Sequence, residues 1–257
     1  MTSNSSLLVN RYGALAAEVY DIDKPLGRLP DTRFWLERFR TFDRPILEPA
    51  CGTGRTLAPL VEAGLDVTGF DRSPEMLERC RARLAGMGLS AEVSQQQMED
   101  FRYDRKFGAV LVPVGTFTLL DDLAAARAAL RRFRDALEPG GLLVVDIMGL
   151  AALASEAEDR RRWTTAEGDL ITIHGMRVKT DWLKQRSESL LRYERWRDHR
   201  LVETELEPMA QRYWGLHEFS LELAAAGFRV ERTIGGYDRD RAPRASDWMI
   251  TYEASRA

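Results

Sequence analysis

The chain has 257 residues, 44% of them hydrophobic and 30% charged, with 37 basic against 40 acidic side chains. That is the profile of a globular enzyme-sized domain with room for an insertion, long enough to bury a sizeable core. The near balance of charge gives no global attraction for nucleic acid or an anionic membrane, and the longest charge-free stretch, residues 107–120, has 14 residues, short of the ~20 that a membrane helix needs.

In chain order, the first residues, MTSNSSLLVNR, lack a basic segment followed by an apolar one, so no leader is expected. Residues 7–20 carry Leu8, Tyr12, Leu15 and Val19 on one helical stripe. Residues 21–30 hold Pro25, Gly27 and Pro30 and read as a loop, and 31–42 return to helical spacing. A short strand at 45–47 leads into Glu48-Pro49-Ala50-Cys51-Gly52-Thr53-Gly54, followed by a helix over 56–64 closed by its glycine. A second strand, 65–70, ends on Asp71. Ser73-Pro74 then opens a helix to about residue 84, with a hydroxyl at the N-cap and proline at the first helical position.

A weak strand at 91–95 precedes the loop 96–100. Residues 109–114 are apolar on both faces, as central parallel strands are. Asp121 opens an Ala-rich helix to residue 137, and the turn 138–141 leads to a strand at 142–147. This alternation predicts a doubly wound parallel sheet. After residue 150 the pattern changes: 170–179, 190–196 and 201–207 alternate as two or three antiparallel strands, with a hairpin turn at 197–200. A helix at 216–226 and strands at 228–234 and 248–253 close the chain. The arginine runs 131–134 and 160–162 read as solvated helix faces. Lys24, Lys106, Lys179 and Lys184 are the four lysines beside 33 arginines, a bias that fits genome composition better than a function.

The strongest site signal is the run from Glu48 to Gly54 after one strand, with Asp71 at the end of the next. A strand, a glycine-rich turn and a helix bring backbone close to a ligand at the carboxyl edge of the sheet, where open α/β folds bind. The acid is placed to accept from both hydroxyls of a ribose. A dinucleotide loop wants a third small residue, but Arg55 or Leu57 stands there, and no Lys-Ser/Thr follows the glycines, which excludes a P-loop. Two cysteines, Cys51 and Cys80, are too few for a disulfide framework or a four-thiolate zinc site. Cys51 has no base motif around it and is assigned no nucleophilic role.

These segments, ILEPACGTGR at 46–55 and GFDRSPEML at 69–77, resemble the first two motifs of class I S-adenosylmethionine-dependent methyltransferases. LEPGGLLVVDI at 137–147 is similar to their fifth-strand region, and LELAAAGFRVERTIGGYD at 221–238 to their closing helix and strand. The resemblance implies a Rossmann-like, doubly wound, seven-stranded α/β sheet with an antiparallel β insertion after strand five. One domain over 1–257 would then comprise a helical lid segment (1–42), a cofactor core (43–150), a β insertion over the acceptor (151–212) and a closing part (213–257). The insertion weakly resembles small-molecule N-methyltransferases of the amino-sugar and glycine type.

Carried over by position, the resemblance puts the cofactor on Glu48, Ala50, Gly52, Thr53 and Gly54, with Asp71 on the ribose. Arg72 and Met76 would border the purine side, and Gln97 with the Met98 N–H would take adenine. Gln97 departs from the family's usual Asp, although an amide offers both donor and acceptor. Pro113 and Val114 would face the methionine end, and Tyr12 and Tyr20 would form the lid. On the acceptor side His217 is the candidate base and Tyr213 a candidate wall or catalytic group, alongside Trp214. His174 is a further candidate base, His199 a solvated one. Arg177, Arg192 and Arg195 are candidates to meet an anionic acceptor.

The expected activity is methyl transfer from S-adenosylmethionine to a small molecule, nitrogen ahead of oxygen, leaving S-adenosylhomocysteine. No metal, nucleic acid or membrane partner is expected. A homodimer through the insertion and a cytoplasmic location are further expectations. Two alternatives stand beside this reading: a subunit that binds cofactor without chemistry or needs a partner, and a nicotinamide-dependent oxidoreductase.

Overall fold

The computed structural model describes residues 10–27, 29–154 and 158–257. Two helices, α1 (Ala14–Asp23) and α2 (Pro30–Phe39), precede the first strand. Leu8 of the expected stripe lies outside the described residues. The helix also starts later than residue 7, because Tyr12 adopts a left-handed backbone (φ 53°) and Gly13 takes the N-cap. Leu15, Ala16 and Val19 of α1 are buried.

The alternation then runs β1 (Ile46–Pro49), α3 (Leu57–Glu62), β2 (Val67–Asp71), α4 (Pro74–Gly86), β3 (Val93–Gln95), β4 (Phe107–Val112), α5 (Leu123–Ala136) and β5 (Leu137–Met148). Ser73 caps α4 through its side chain, as read from the sequence. α5 is capped by Asp122 rather than Asp121, whose carboxylate instead pairs with Arg186 at 2.7 Å. The turn expected at 138–141 is a looped-out bulge: pairing passes from Phe107↔Leu137 to Ala109↔Leu142, with Gly140 left-handed.

After β5 come α6 (Leu150–Leu153) and four antiparallel strands, β6 (Glu158–Thr164), β7 (Leu170–Asp181), β8 (Arg186–Arg197) and β9 (Arg200–Arg212), in the order β6-β7-β8-β9. The insertion thus has one strand more than expected. Arg160, Arg161 and Arg162 lie on its edge strand and not on a helix, where charge blocks further pairing. Asp198 and His199, both left-handed, make the β8–β9 turn.

The chain closes with α7 (Leu216–Ala225), β10 (Phe228–Gly235) and β11 (Met249–Arg256). The main sheet has the order β10-β11-β5-β4-β1-β2-β3, parallel except for β11, which pairs antiparallel with both β5 and β10. β4 shows how the core divides. Val110 and Val112 join one apolar cluster with Phe117, Phe133 and Phe219, while Ala109 and Leu111 join another with Trp35, Leu57 and Cys80. Each face of the sheet is therefore covered by helices, as a parallel sheet requires. No helix among the described residues is long and apolar enough to cross a membrane.

Candidate functional site

The loop after β1 is bent by three left-handed residues in five: Ala50 (φ 51°), Gly52 (φ 57°) and Gly54 (φ 76°). Cys51 N–H donates to the Phe70 carbonyl at 2.9 Å and Gly52 N–H to Asp71 Oδ2 at 2.9 Å, which lays the loop against the end of β2. The two glycines serve different ends. A Cβ at Gly54 would stand 2.7 Å from the Cys80 sulfur on α4, whereas at Gly52 the nearest atom would be Met76 Sδ at 4.0 Å. Gly54 permits helix packing; Gly52 faces open space.

The close helix–strand approach that a dinucleotide loop obtains from its third small residue is obtained here from Gly69 on β2. A Cβ there would meet Leu57 at 2.5 Å. Arg55, at the other candidate position, is buried and pairs with Asp31 at 2.5 and 3.0 Å. Both positions are filled by committed side chains, which disfavours the nicotinamide alternative. Gly69 was missed in the sequence because its partner lies across the helix.

Asp71 is buried, with Oδ2 on Gly52 N–H and Oδ1 on Ser73 N–H, each at 2.9 Å. Burial pushes its carboxyl up, and the N–H groups of Ser73 and Gly52 oppose that shift. Beside it opens a cleft. Tyr12, Tyr20, Ala50, Gly52, Asp71, Arg72, Met76, Gln97 and Met98, all expected at the cofactor, line this cleft. So do Asn10, Phe70, Gln96, Glu99, Thr116, Leu119 and Leu120, which were not anticipated. Thr116 and Leu119 follow β4 in sequence, the signal by which they were findable.

Glu48, Thr53, Gly54, Pro113 and Val114 do not line the cleft. Glu48 and Thr53 are buried beside the loop, and neither Glu48 Oε2 nor Thr53 Oγ1 has a hydrogen-bond partner among the described residues. Burial pushes the Glu48 carboxyl well above its ordinary range; Cys80 adds to the shift and Arg55 opposes it. The Pro113 carbonyl accepts from the Thr116 hydroxyl at 2.7 Å. Val114 is left-handed (φ 60°), and its N–H donates to Asp146 Oδ2 at 2.7 Å. Asp146 also accepts from the hydroxyls of Tyr237 (2.7 Å) and Thr251 (2.6 Å), and burial raises its carboxyl to about 7.

The candidates on the acceptor side are not brought to the cleft. Tyr213 is buried against Ala152 and Leu153, and its hydroxyl is engaged with Ser187 and Gln211. His217 is exposed on the first turn of α7. The physical reason lies in Trp214, which packs between Phe117 and Phe219 and turns the chain so that α7 presents His217 outward. His174 pairs with Glu158 at 2.9 Å, and His199 is in the exposed hairpin turn. Arg177 donates to the Leu153 carbonyl, Arg192 pairs with Glu194, and Arg195 bridges Glu18, Asp169 and Glu203. These arginines are structural groups of the insertion. Cys51 and Cys80 are buried free thiols. Among the described residues no group of three or more His, Cys, Asp or Glu is placed to hold a metal ion.

Residues 46–141 match the family model of the methyltransferase domain. The dTDP-3-amino-3,4,6-trideoxy-alpha-D-glucopyranose N,N-dimethyltransferase of Streptomyces venezuelae is 37% identical over 101 residues, which cover 39% of this chain and 41% of that protein. The chain thus aligns with about two-fifths of that relative's length. In fold it resembles an S-adenosylmethionine-dependent methyltransferase from Clostridium acetobutylicum, with TM-score 0.78, 18% identity and coverage of 93% and 96% of the two chains. It also resembles the S-adenosylmethionine-bound amino pentose methyltransferase of Micromonospora echinaspora, with TM-score 0.72, 19% identity and coverage of 96% and 99%.

Proposed function

We infer that this chain, whose residues 46–141 match the methyltransferase domain, is a class I S-adenosylmethionine-dependent methyltransferase that transfers a methyl group to a nitrogen of a small molecule. The observation that carries this reading is Asp71, clamped by the Gly52 and Ser73 amides at the end of β2 and lining a cleft floored by the glycine loop. The residues present fit the cofactor. Gly52 leaves its Cβ position open toward the cleft, and two buried oxygens, on Glu48 and Thr53, stand unpartnered beside the loop.

Asp71 would accept from the ribose hydroxyls and Gln97 with the Met98 N–H would hold adenine. Tyr12 and Tyr20, edge to face with centroids 6.4 Å apart, would close the cleft and exclude water. When bound, the cofactor supplies a methyl on a sulfonium: the acceptor's lone pair forms the new bond as the sulfur–methyl bond breaks, and S-adenosylhomocysteine leaves. Holding the reacting atoms in line accounts for about 7–11 kcal/mol of barrier lowering.

An amine loses a proton and asks for no strong base, whereas a hydroxyl profits from one. The titratable groups that line the cleft are Asp71, Arg72, Glu99, Tyr12 and Tyr20, and burial raises both tyrosines. The Streptomyces relative named for an amino sugar supports an amine as the acceptor. The test is titration with S-adenosylhomocysteine, followed by turnover on nucleoside-diphosphate amino sugars and simple amines. Binding with methylated product supports the reading; a chain that binds no S-adenosylhomocysteine sinks it.

A further inference from the structure

The amino-terminal residues that reach the cleft are held from an unexpected side. β9 presents Glu205 and Glu207 on the face of the insertion that carries Leu191 and Tyr193. Glu207 is buried and accepts from the backbone N–H of Arg11, the residue before Tyr12. Glu205 accepts from Leu15 N–H at 3.0 Å and Ala16 N–H at 3.3 Å, in the first turn of α1. Further along, the Asn10 side chain both donates to and accepts from the Ala210 backbone, at 3.0 and 2.8 Å. Residues 10–16 are thus fastened to β9 by side chain-to-backbone bonds across about 190 positions of sequence.

Tyr12 is the point where this strap meets the cleft. On one side the Arg11 N–H goes to Glu207, and on the other the Tyr12 carbonyl accepts from Ser73 Oγ at 2.9 Å, two residues beyond Asp71. Between those two anchors Tyr12 takes a left-handed backbone (φ 53°), a conformation that persists in a tyrosine only when its surroundings impose it. A carboxylate suits the task because it accepts only: Glu205 takes the converging N–H groups of Leu15 and Ala16, and Glu207 that of Arg11, with no donor of their own to place. α1 is braced in the same sense, by Arg195 on Glu18 from the insertion and by Arg79 and Arg83 on Asp21 from α4.

We propose that Glu207, supported by Glu205, is a positioning residue that seats Tyr12 over the cofactor cleft, so that the acceptor-side insertion governs how tightly cofactor is retained. This rests on the cleft being the cofactor site. Without Glu207 the Tyr12 backbone relaxes toward ordinary φ, and its ring leaves the cleft.

The test is a double-mutant cycle on the intact chain, read by calorimetry with S-adenosylhomocysteine. Glu207→Leu should weaken binding at least about tenfold when Tyr12 is present, and by less than about twofold in a Tyr12→Ala background. Equal losses in both backgrounds, or no loss in the first, overturn the proposal. If Glu207→Leu does not fold, Glu205→Gln takes its place, with an expected loss of about threefold to fivefold and again none once Tyr12 is Ala; affinity equal to wild type refutes it. Wild-type chain that fails to bind S-adenosylhomocysteine overturns the cofactor reading itself, a result distinct from wild type that binds and variants that bind equally.

Discussion

Asp71→Asn separates the two duties assigned to that carboxylate. In the ligand-free protein each oxygen takes one buried N–H at 2.9 Å, from Gly52 and from Ser73. An amide keeps one acceptor and turns its NH₂ on the other N–H, so one charge-assisted bond of about 1.5–3 kcal/mol is lost. Removing a buried charge, whose pKa burial raises, returns part of that. The net destabilisation should be about 1–2 kcal/mol. The ribose hydroxyls lose a charged acceptor as well, and at 1.4 kcal/mol per decade a loss of about 1.5–3 kcal/mol weakens cofactor binding by roughly 10–100-fold. Urea unfolding reads the first effect, and calorimetry with S-adenosylhomocysteine reads the second under conditions where the variant is fully folded. A variant less stable but with unchanged affinity would show that Asp71 only staples the loop. A variant unchanged in both would refute the geometry argument itself.

Gly54→Ala should cost about 2–4 kcal/mol in urea unfolding, from the left-handed backbone and the contact with Cys80. Adding Cys80→Ala should recover the steric part, and a single variant within about 0.5 kcal/mol of wild type contradicts this. Arg55→Met leaves buried Asp31 unpaired and should cost about 3–5 kcal/mol, much of it restored by Asp31→Leu; no restoration would mean that packing, not charge, dominates there. Asp146 rises from 3.8 to about 7 on folding. The native state then keeps a proton that the unfolded chain has released, so this contribution is full below about pH 4 and is lost as pH rises through about 7. Wild-type stability measured against Asp146→Asn should therefore fall between about pH 4 and 7; parallel curves refute it.

What was legible in the sequence was local. The glycine loop, Asp71 and Ser73-Pro74 are strand–turn–helix segments whose turn residues and caps act within a few positions, so the chain announces them. β6 was hidden because three consecutive arginines erase the alternation that marks a strand. Tyr213 and His217 were misplaced for a different reason. Their direction depends on Trp214 packing between Phe117 and Phe219, partners from distant parts of the chain. Glu203, Glu205 and Glu207 alternate along a strand with nothing local to mark a partner, and only the fold brings the amides of residues 11, 15 and 16 to two of them.

The insertion leaves the sheet after Met148 and returns at Trp214, whose N–H donates to the Met148 carbonyl at 3.1 Å beside the Gly149↔Trp214 bridge. Entry and exit are therefore neighbours, and the main sheet sees the whole four-stranded unit as a single short connection from β5 to α7. Such a unit can be exchanged as a cassette without disturbing the strand order of the main sheet. The exchange carries one obligation. A replacement has to bring its own acceptors for the amides of residues 11, 15 and 16, or that segment loses the partners that hold it against β9.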